Sequence, residues 1–421
     1  MASLIVWMNG ERVGEWGTLR GGRTPFFRYE EFWANAPHGR ALSLSLPLTE
    51  DREVRGPAVE YYFDNLLPDS PAIRSRIRTR FKARSADAFD LLMAIGRDCV
   101  GAVQLLPPNV EPLGFDHIDT APLTEAEIEQ ALHDVTMTTP LTDEEQDDFR
   151  ISLAGAQEKT ALLHMAGRWF RPHHATPTTH ILKLPLGIIG GFRGDFSDSV
   201  ENEWLCAQVL RELELPVAAA AIARFGDQRA LVVTRFDRRW IGVDPLEVQK
   251  KSFRPSKGTW IARLPQEDLC QAMGLPHTLR YEADGGPSIS DALALLANSE
   301  HPAQDQATLV LAQLAFWLLA ATDGHGKNQL APEKARLAMS LRGRRAHYRL
   351  NEITGGHWHE LAGRTGVPGL WARMQSFVES APEAFDRLEK HLPRAFPERV
   401  YATIRNGIRA QGQRFAKTIG S

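Results

Sequence analysis

Surplus positive charge, a cysteine framework and a long apolar run are all missing from this chain. Its 49 lysines and arginines face 52 acidic residues, a formal net charge of -3 over 421 residues. The chain as a whole therefore has no electrostatic means of holding nucleic acid unaided. Only three cysteines occur, Cys99, Cys206 and Cys270. None stands in C-x-x-C spacing and an odd number cannot all pair, which excludes a disulfide scaffold and fits a reducing, cytoplasmic setting. The longest nearly unbroken apolar stretch, Leu309 to Ala321 with Gln313 inside it, is shorter than the roughly 18 to 20 residues a membrane crossing needs. It reads as a buried helix. No basic region precedes the apolar opening Leu4-Ile5-Val6-Trp7, which runs into the hairpin-turn pair Asn9-Gly10; the pattern predicts a first strand, not a signal peptide. Internal repeats and low-complexity tracts are absent as well.

With 43% hydrophobic and 24% charged residues, the composition is that of a globular chain long enough for two or three domains. Residues 3–48 alternate β-rich runs with turn signals and predict a small sheet, including the alternating Leu42-Ser43-Leu44-Ser45-Leu46 closed by Pro47. From Val59 the pattern becomes helical, with a basic helix carrying Arg74, Arg76, Arg78, Arg80, Lys82 and Arg84. Its basic residues recur at every second position, which spreads them around a helix and is the ordinary pattern of a solvated one. Residues 107–148 turn proline-containing and then acidic, through Asp143-Glu144-Glu145 to Asp147-Asp148, and mark the main boundary. β-signals return over Ile151 to Leu163, His180 to Leu186 and Gln228 to Arg235, and after Pro265 nearly everything reads helical. The predicted organisation is a β-rich N-terminal part over 1–110, a connection over 111–148, a mixed small lobe over 149–262 and a helical lobe over 263–421.

The segment Asp323-Gly324-His325-Gly326-Lys327-Asn328 follows the long apolar helix. Phosphoryl transfer needs a carboxylate to orient and deprotonate an acceptor hydroxyl and an amide oxygen nearby to hold magnesium; kinase catalytic loops space them as D-x-x-x-x-N. Asp323 and Asn328 have that spacing, although an Asp and an Asn five apart also make ordinary turns. Upstream, Ser152-Leu153-Ala154-Gly155-Ala156-Gln157-Glu158-Lys159-Thr160 reads as strand, turn and strand, with small residues that let backbone N–H groups approach phosphate oxygens. It matches neither common glycine-rich phosphate motif. Lys183, inside the apolar strand His180 to Pro185, is the candidate clamp on the α- and β-phosphates of ATP, with a snorkelling edge lysine as the alternative. Glu203, near the start of a helix from Trp204, is the candidate partner of that lysine. Thr234-Arg235-Phe236 ends a strand where a hinge would present backbone to adenine; Phe236 is equally compatible with ordinary core. His173-His174 and His357-Trp358-His359-Glu360 lack the ligand spacing of a zinc site.

These motifs together resemble the HipA family of toxin kinases. The segments that carry the resemblance are Phe149 to Leu163, Thr178 to Pro185, Arg235-Phe236-Asp237-Arg238-Arg239-Trp240, Arg263 to Asp268, Tyr281 to Pro287, Asp323 to Asn328, and, earlier, Leu42 to Leu48 and Phe63 to Ser70. The resemblance implies an α+β, two-lobed protein-kinase-like fold with an N-terminal β-rich subdomain and an all-α C-terminal lobe. It implies a serine/threonine kinase, using ATP and Mg2+, that acts as the toxin of a toxin–antitoxin pair and modifies a protein such as an aminoacyl-tRNA synthetase, typically the glutamyl enzyme. Residue by residue it makes Asp323 the catalytic base, Asn328 a magnesium ligand, Lys183 the phosphate-contacting lysine and Ser152 a self-phosphorylation site that shuts the enzyme off. Ala154, Gly155, Ala156, Gln157 and Lys159 fall in the nucleotide loop. The implied partner is a HipB-like helix-turn-helix antitoxin that carries most of the DNA contact.

Two departures stand against this. Thr234 occupies a place where the family usually has glutamate. No counterpart of the Pro-x-Tyr-Asp-x-x-Ser segment, source of the second metal carboxylate, is present: no aspartate occurs between Gly324 and Phe385. The rival readings are a catalytically impaired pseudokinase serving as an antitoxin-binding co-repressor and a small-molecule phosphotransferase.

Overall fold

The computed structural model describes residues 3–18, 24–141, 151–155, 157–189, 194–320, 336–343 and 345–416. The chain divides into two compact units, residues 1–184 with 223–279, and residues 185–222 with 280–421.

The first unit opens with a five-stranded antiparallel sheet in the order β4-β3-β2-β1-β5, made of β1 (Ser3–Met8), β2 (Glu11–Thr18), β3 (Pro25–Tyr29), β4 (Glu53–Arg55) and β5 (Val103–Leu106). Its first turn is the predicted one: Asn9 and Gly10 both take positive φ, 48° and 85°, as a tight two-residue hairpin turn requires. One face of the sheet packs on the helices Pro57–Asp64 and Ala88–Ile95, with Trp16 stacked on Phe63 at 4.0 Å.

The run Leu42 to Leu46 is not a strand, contrary to its alternation. Only a single bridge joins Ser43 and Leu46. Polar side chains take the backbone's bonding capacity: the Ser45 hydroxyl donates to the Gln271 carbonyl at 2.6 Å, and Leu42 N–H donates to the Tyr29 hydroxyl at 2.7 Å. Leu42 and Leu46 are buried while Leu44 is 63% exposed. The basic helix spans Pro71–Arg80 and stops before Lys82, which has a positive φ of 54°. Arg74 pairs with Asp64 at 2.5 Å and Arg76 with Glu158, so part of this helix is engaged rather than solvated.

A six-stranded sheet follows. It contains β6 (Thr120–Pro122), β7 (Lys159–Met165), β8 (Arg168–Pro172), β9 (His180–Lys183) and the strands Ala220–Phe225 and Gln228–Thr234; Ala220–Phe225 lies at one edge, followed in order by Gln228–Thr234, β9, β7, β8 and β6. Adjacent residues of β7 point to opposite faces, and Leu162 and Leu163 accordingly enter different cores. Leu162 meets Leu182, Val232 and, from the helix Glu125–Asp134, Ile128 and Leu132. Leu163 meets Phe170, Val248 and Ile261. The stretch read as a connection thus supplies both an edge strand and a covering helix. That helix starts with a capping box between Thr124 and Glu127, which satisfies two orphan N–H groups at once.

The second unit is built on the helices Ser199–Glu212, Ile289–Leu296, Pro302–Leu318, Gly355–Thr365, Leu370–Leu388 and Glu398–Ala416. The apolar run is a buried helix, as its sequence predicts: Trp317 is fully buried and donates its indole N–H to the Leu350 carbonyl at 3.0 Å. This unit also contains the hairpin Arg336–Arg342 with Ala346–Arg349, so the expectation of an all-α lobe is corrected. The hairpin is held by Glu282, which is buried and accepts from Ser340 N–H at 2.6 Å and Arg342 Nη2 at 2.9 Å. Among the described residues no helix is long and apolar enough to cross a membrane.

Candidate functional site

The loop from Ser152 to Lys159 is entered at one bridge, between Asp98 and Ile151, and among the described residues the strand expected from Ile151 begins only at Lys159. Its root is buried. Ser152 is fully buried, its N–H donates to the Asp98 carbonyl at 3.1 Å and its hydroxyl donates to the Leu66 carbonyl at 2.8 Å. Gly155 has φ +103°, a conformation that side chains strain to adopt, and a Cβ there would meet Lys159 Nζ at 3.0 Å. Lys159 Nζ donates to the Ala154 carbonyl at 2.9 Å, and Gln157 Nε2 donates to the Leu184 carbonyl at 2.6 Å. Under the loop lies a cavity of about 100 Å³, lined by Ile73, Ile77, Leu153 and the Arg76–Glu158 pair among others. Polar ties more than close packing therefore set the position of the loop.

Lys159 of β7 stands directly opposite Lys183 of β9 in the antiparallel register. Like charges placed opposite each other destabilise a strand pair by themselves, and a polyanion between them reverses that sign. The donor chemistry at this point of the sheet, two lysines beside a loop that turns on a left-handed glycine, fits the phosphates of a nucleotide. His180, at the start of the same strand, has its pKa pulled down to about 4, by burial and then by neighbouring His164, so it adds no charge at neutral pH.

Other predicted residues fare differently. Arg235 is not offered to a ligand: its side chain is 4% exposed and saturated, with Nε on Asp237 at 3.0 Å, Nη1 on Asp98 at 3.2 Å and Nη2 on the Cys99 carbonyl at 2.8 Å. Its backbone N–H is also used, donating to the Thr179 carbonyl at 2.9 Å. Thr234, the last residue of its strand, is exposed, and Phe236 is 70% exposed, which rules out a core role for that ring. Glu203 is half-buried on the helix Ser199–Glu212, whereas Glu201, one turn's edge earlier, is 5% exposed. Asp323, Asn328 and Ala156 lie outside the described residues. Among the described residues no three potential metal ligands are gathered.

A cluster that the sequence reading missed lies beside the loop. Asp98 takes Arg238 Nη2 at 2.8 Å, Arg263 Nε at 3.3 Å, Arg235 Nη1 at 3.2 Å and the Thr178 hydroxyl at 2.6 Å. Asp237 takes Arg235 Nη2 at 2.7 Å and the Gly101 N–H at 2.8 Å. Burial pushes the Asp98 carboxyl up, but Arg238, Arg235 and Arg263 together hold it well below the usual carboxylate range. Arg238 is brought down to about 9 by burial and by Arg235. The available signal was arginine at the ends of apolar strands: Arg235 and Arg263 need a buried acid, and Asp237 alone does not balance them.

Comparison with known proteins gives matches to two family models. The family model described as HipA N-terminal domain matches residues 4–106, and that described as HipA-like C-terminal domain matches residues 151–338. A relative from Sinorhizobium fredii, "Putative kinase Y4mE", is 31% identical over 417 residues, covering 91% of this chain and 91% of its own length. The serine/threonine-protein kinase toxin HipA of Shewanella oneidensis is 26% identical over 312 residues, 71% of this chain and 64% of that protein. A solved complex of the Shewanella oneidensis MR-1 toxin–antitoxin system, HipA with HipB and its operator DNA, has a chain that superimposes with a TM-score of 0.76 at 21% identity, covering 98% of this chain and 97% of that one.

Proposed function

The chain belongs to the HipA family of toxin kinases and has its α+β fold, and from that premise we propose that it binds ATP and is built to move the γ-phosphate onto a serine or threonine of another protein. The observation that carries this reading is the opposition of Lys159 and Lys183 beside the Ser152 to Lys159 loop. Backbone donors and the two lysines hold the phosphates there, in the manner kinases use positioning and charge in place of covalent chemistry. Asp323 takes the acceptor's proton, and Asn328 would hold magnesium, which would supply neutralisation of phosphate charge. Lys183 contacts the phosphates; Phe236, exposed beside Thr234, offers a face to adenine.

Ser152 is the self-phosphorylation site in this reading. Its hydroxyl is spent on the Leu66 carbonyl and is inaccessible while the loop is seated. Modification therefore follows loop release, and the added charge keeps the loop from reseating. The protein substrate is an aminoacyl-tRNA synthetase, glutamyl by family likeness. The antitoxin is HipB-like and carries the DNA contact, in a cytoplasmic setting, because the structural relative is found with HipB and operator DNA.

A second reading has one observation in its favour. With no aspartate between Gly324 and Phe385, the second metal carboxylate is missing, and a preorganised charge partner of this sort is worth on the order of 10²- to 10³-fold in rate. In that reading the chain is a pseudokinase that grips nucleotide weakly and serves as a co-repressor with its antitoxin. Co-expression with its genomic neighbour, followed by transfer of labelled γ-phosphate into lysate proteins, tests the first reading against the second. Labelled protein that disappears in Asp323→Asn supports the kinase. Labelled small molecules without labelled protein point to a small-molecule phosphotransferase instead, and no label at all supports the pseudokinase.

A further inference from the structure

Asp98 follows the helix Ala88–Ile95 of the N-terminal part and is 6% exposed. Its side chain and its backbone face different partners. The carboxylate is gripped by Arg235, Arg238, Arg263 and Thr178, all from the part of the unit that builds the six-stranded sheet and the antiparallel pair Arg238–Ile241 with Trp260–Arg263. The carbonyl of the same residue accepts the N–H of Ser152 at 3.1 Å, and the adjoining Ile151 forms its one bridge with Asp98. Arg235 and Arg238 also bind the next carbonyl, Cys99, at 2.8 and 2.9 Å, so the two peptides that follow the carboxylate are fixed. The Ser152 hydroxyl adds a tie to the Leu66 carbonyl at 2.8 Å, and a cavity lies beneath the rest of the loop.

We propose that Asp98 is a positioning residue for the phosphate loop: its carboxylate, clamped by three arginines, orients the peptide whose carbonyl holds Ser152, so that the N-terminal part sets the loop's place. A neutral side chain at this position leaves Arg235 and Arg238 sharing Asp237 and takes from Arg263 the acid it pairs with, and like-charge repulsion then displaces the peptide that carries the carbonyl. The significance for nucleotide binding rests on the reading of the loop as a phosphate site. The coupling itself does not.

Hydrogen exchange on the full chain without nucleotide tests the coupling, since it reports local opening apart from activity. In Asp98→Asn the amides of residues 152–159 are expected to gain in exchange rate at least about tenfold more than those of β1 and β2, the scale of one buried group left unsatisfied. A gain at 152–159 no larger than that in β1 and β2 overturns the proposal, because it marks a merely structural role. Thr178→Val keeps every charge and removes a hydroxyl that donates to Asp98 at 2.6 Å and accepts from Arg235 Nη1 at 2.9 Å. It should show the same selective gain with smaller size, and it decides the matter if Asp98→Asn does not fold: selective gain supports the proposal and its absence overturns it. ATP titration of the parent chain stands apart. Failure to bind ATP removes the nucleotide reading and leaves the exchange result in force; where ATP binds, Asp98→Asn should raise its Kd roughly tenfold.

Discussion

Two regions of the chain carry the two halves of the proposed chemistry, and they are unequally supplied. Between Ile151 and Leu184 lie a left-handed glycine, two opposed lysines and a loop tied at Ser152, Gln157 and Lys159. From Gly324 to Phe385 there is no aspartate. Holding phosphate and activating its transfer use different devices: the first needs backbone donors and cations, the second a base and a metal carboxylate. A chain that keeps one and loses part of the other separates binding from turnover.

The largest expected effect breaks the catalytic half. If the chain transfers phosphate, Asp323→Asn should lower the rate by about 10²- to 10⁴-fold, the usual scale for a positioned general base, and should abolish growth arrest. Phosphate transfer and growth curves read this, and undiminished arrest removes Asp323 from the mechanism. Next comes the support of the gripping half. Asp98→Ala takes one carboxylate from a cluster of three arginines, and breaking a buried pair costs about 3 to 5 kcal/mol. Urea denaturation should show it as a fall in midpoint at unchanged slope.

A third effect sharpens the comparison by pH. His180, on the strand of Lys183, has a folded pKa of about 4 against an unfolded value of roughly 6.5. The unfolded chain therefore binds more protons between these values, and stability is full above about pH 6.5 and is lost as pH falls toward 4. The total is about 3 kcal/mol. His180→Phe should flatten the stability profile across that window, and an unchanged profile excludes His180 as its source. The smallest effect falls on the loop itself. Ser152→Asp puts a charge where the hydroxyl now meets the Leu66 carbonyl, and ATP should bind about tenfold more weakly. Equal affinity in mutant and parent contradicts the switch.

What was legible in the sequence is local. The Asn9-Gly10 turn, the strand at His180–Lys183 and the buried helix Pro302–Leu318 follow from turn chemistry and apolar pattern. The misreadings share a cause in distant partners. Leu42 to Leu46 alternates like a strand, yet its serines bond to Gln271 and Glu267, more than two hundred residues away. Arg235 looked like a hinge residue because nothing nearby in sequence announces Asp98, 137 positions earlier. The hairpin Arg336–Arg342 with Ala346–Arg349 was missed because short apolar runs among helices carry no period of their own.

The central claim is that this member of the HipA family grips nucleotide through its loop and lysines while lacking a metal carboxylate. Calorimetric titration of ATP into the intact 47.0 kDa chain, with and without magnesium, tests it most directly. Weak binding that magnesium strengthens only slightly, with autophosphorylation at Ser152 that is slow for want of the second carboxylate, is the predicted result. Tight, strongly magnesium-dependent binding together with robust autophosphorylation would contradict it.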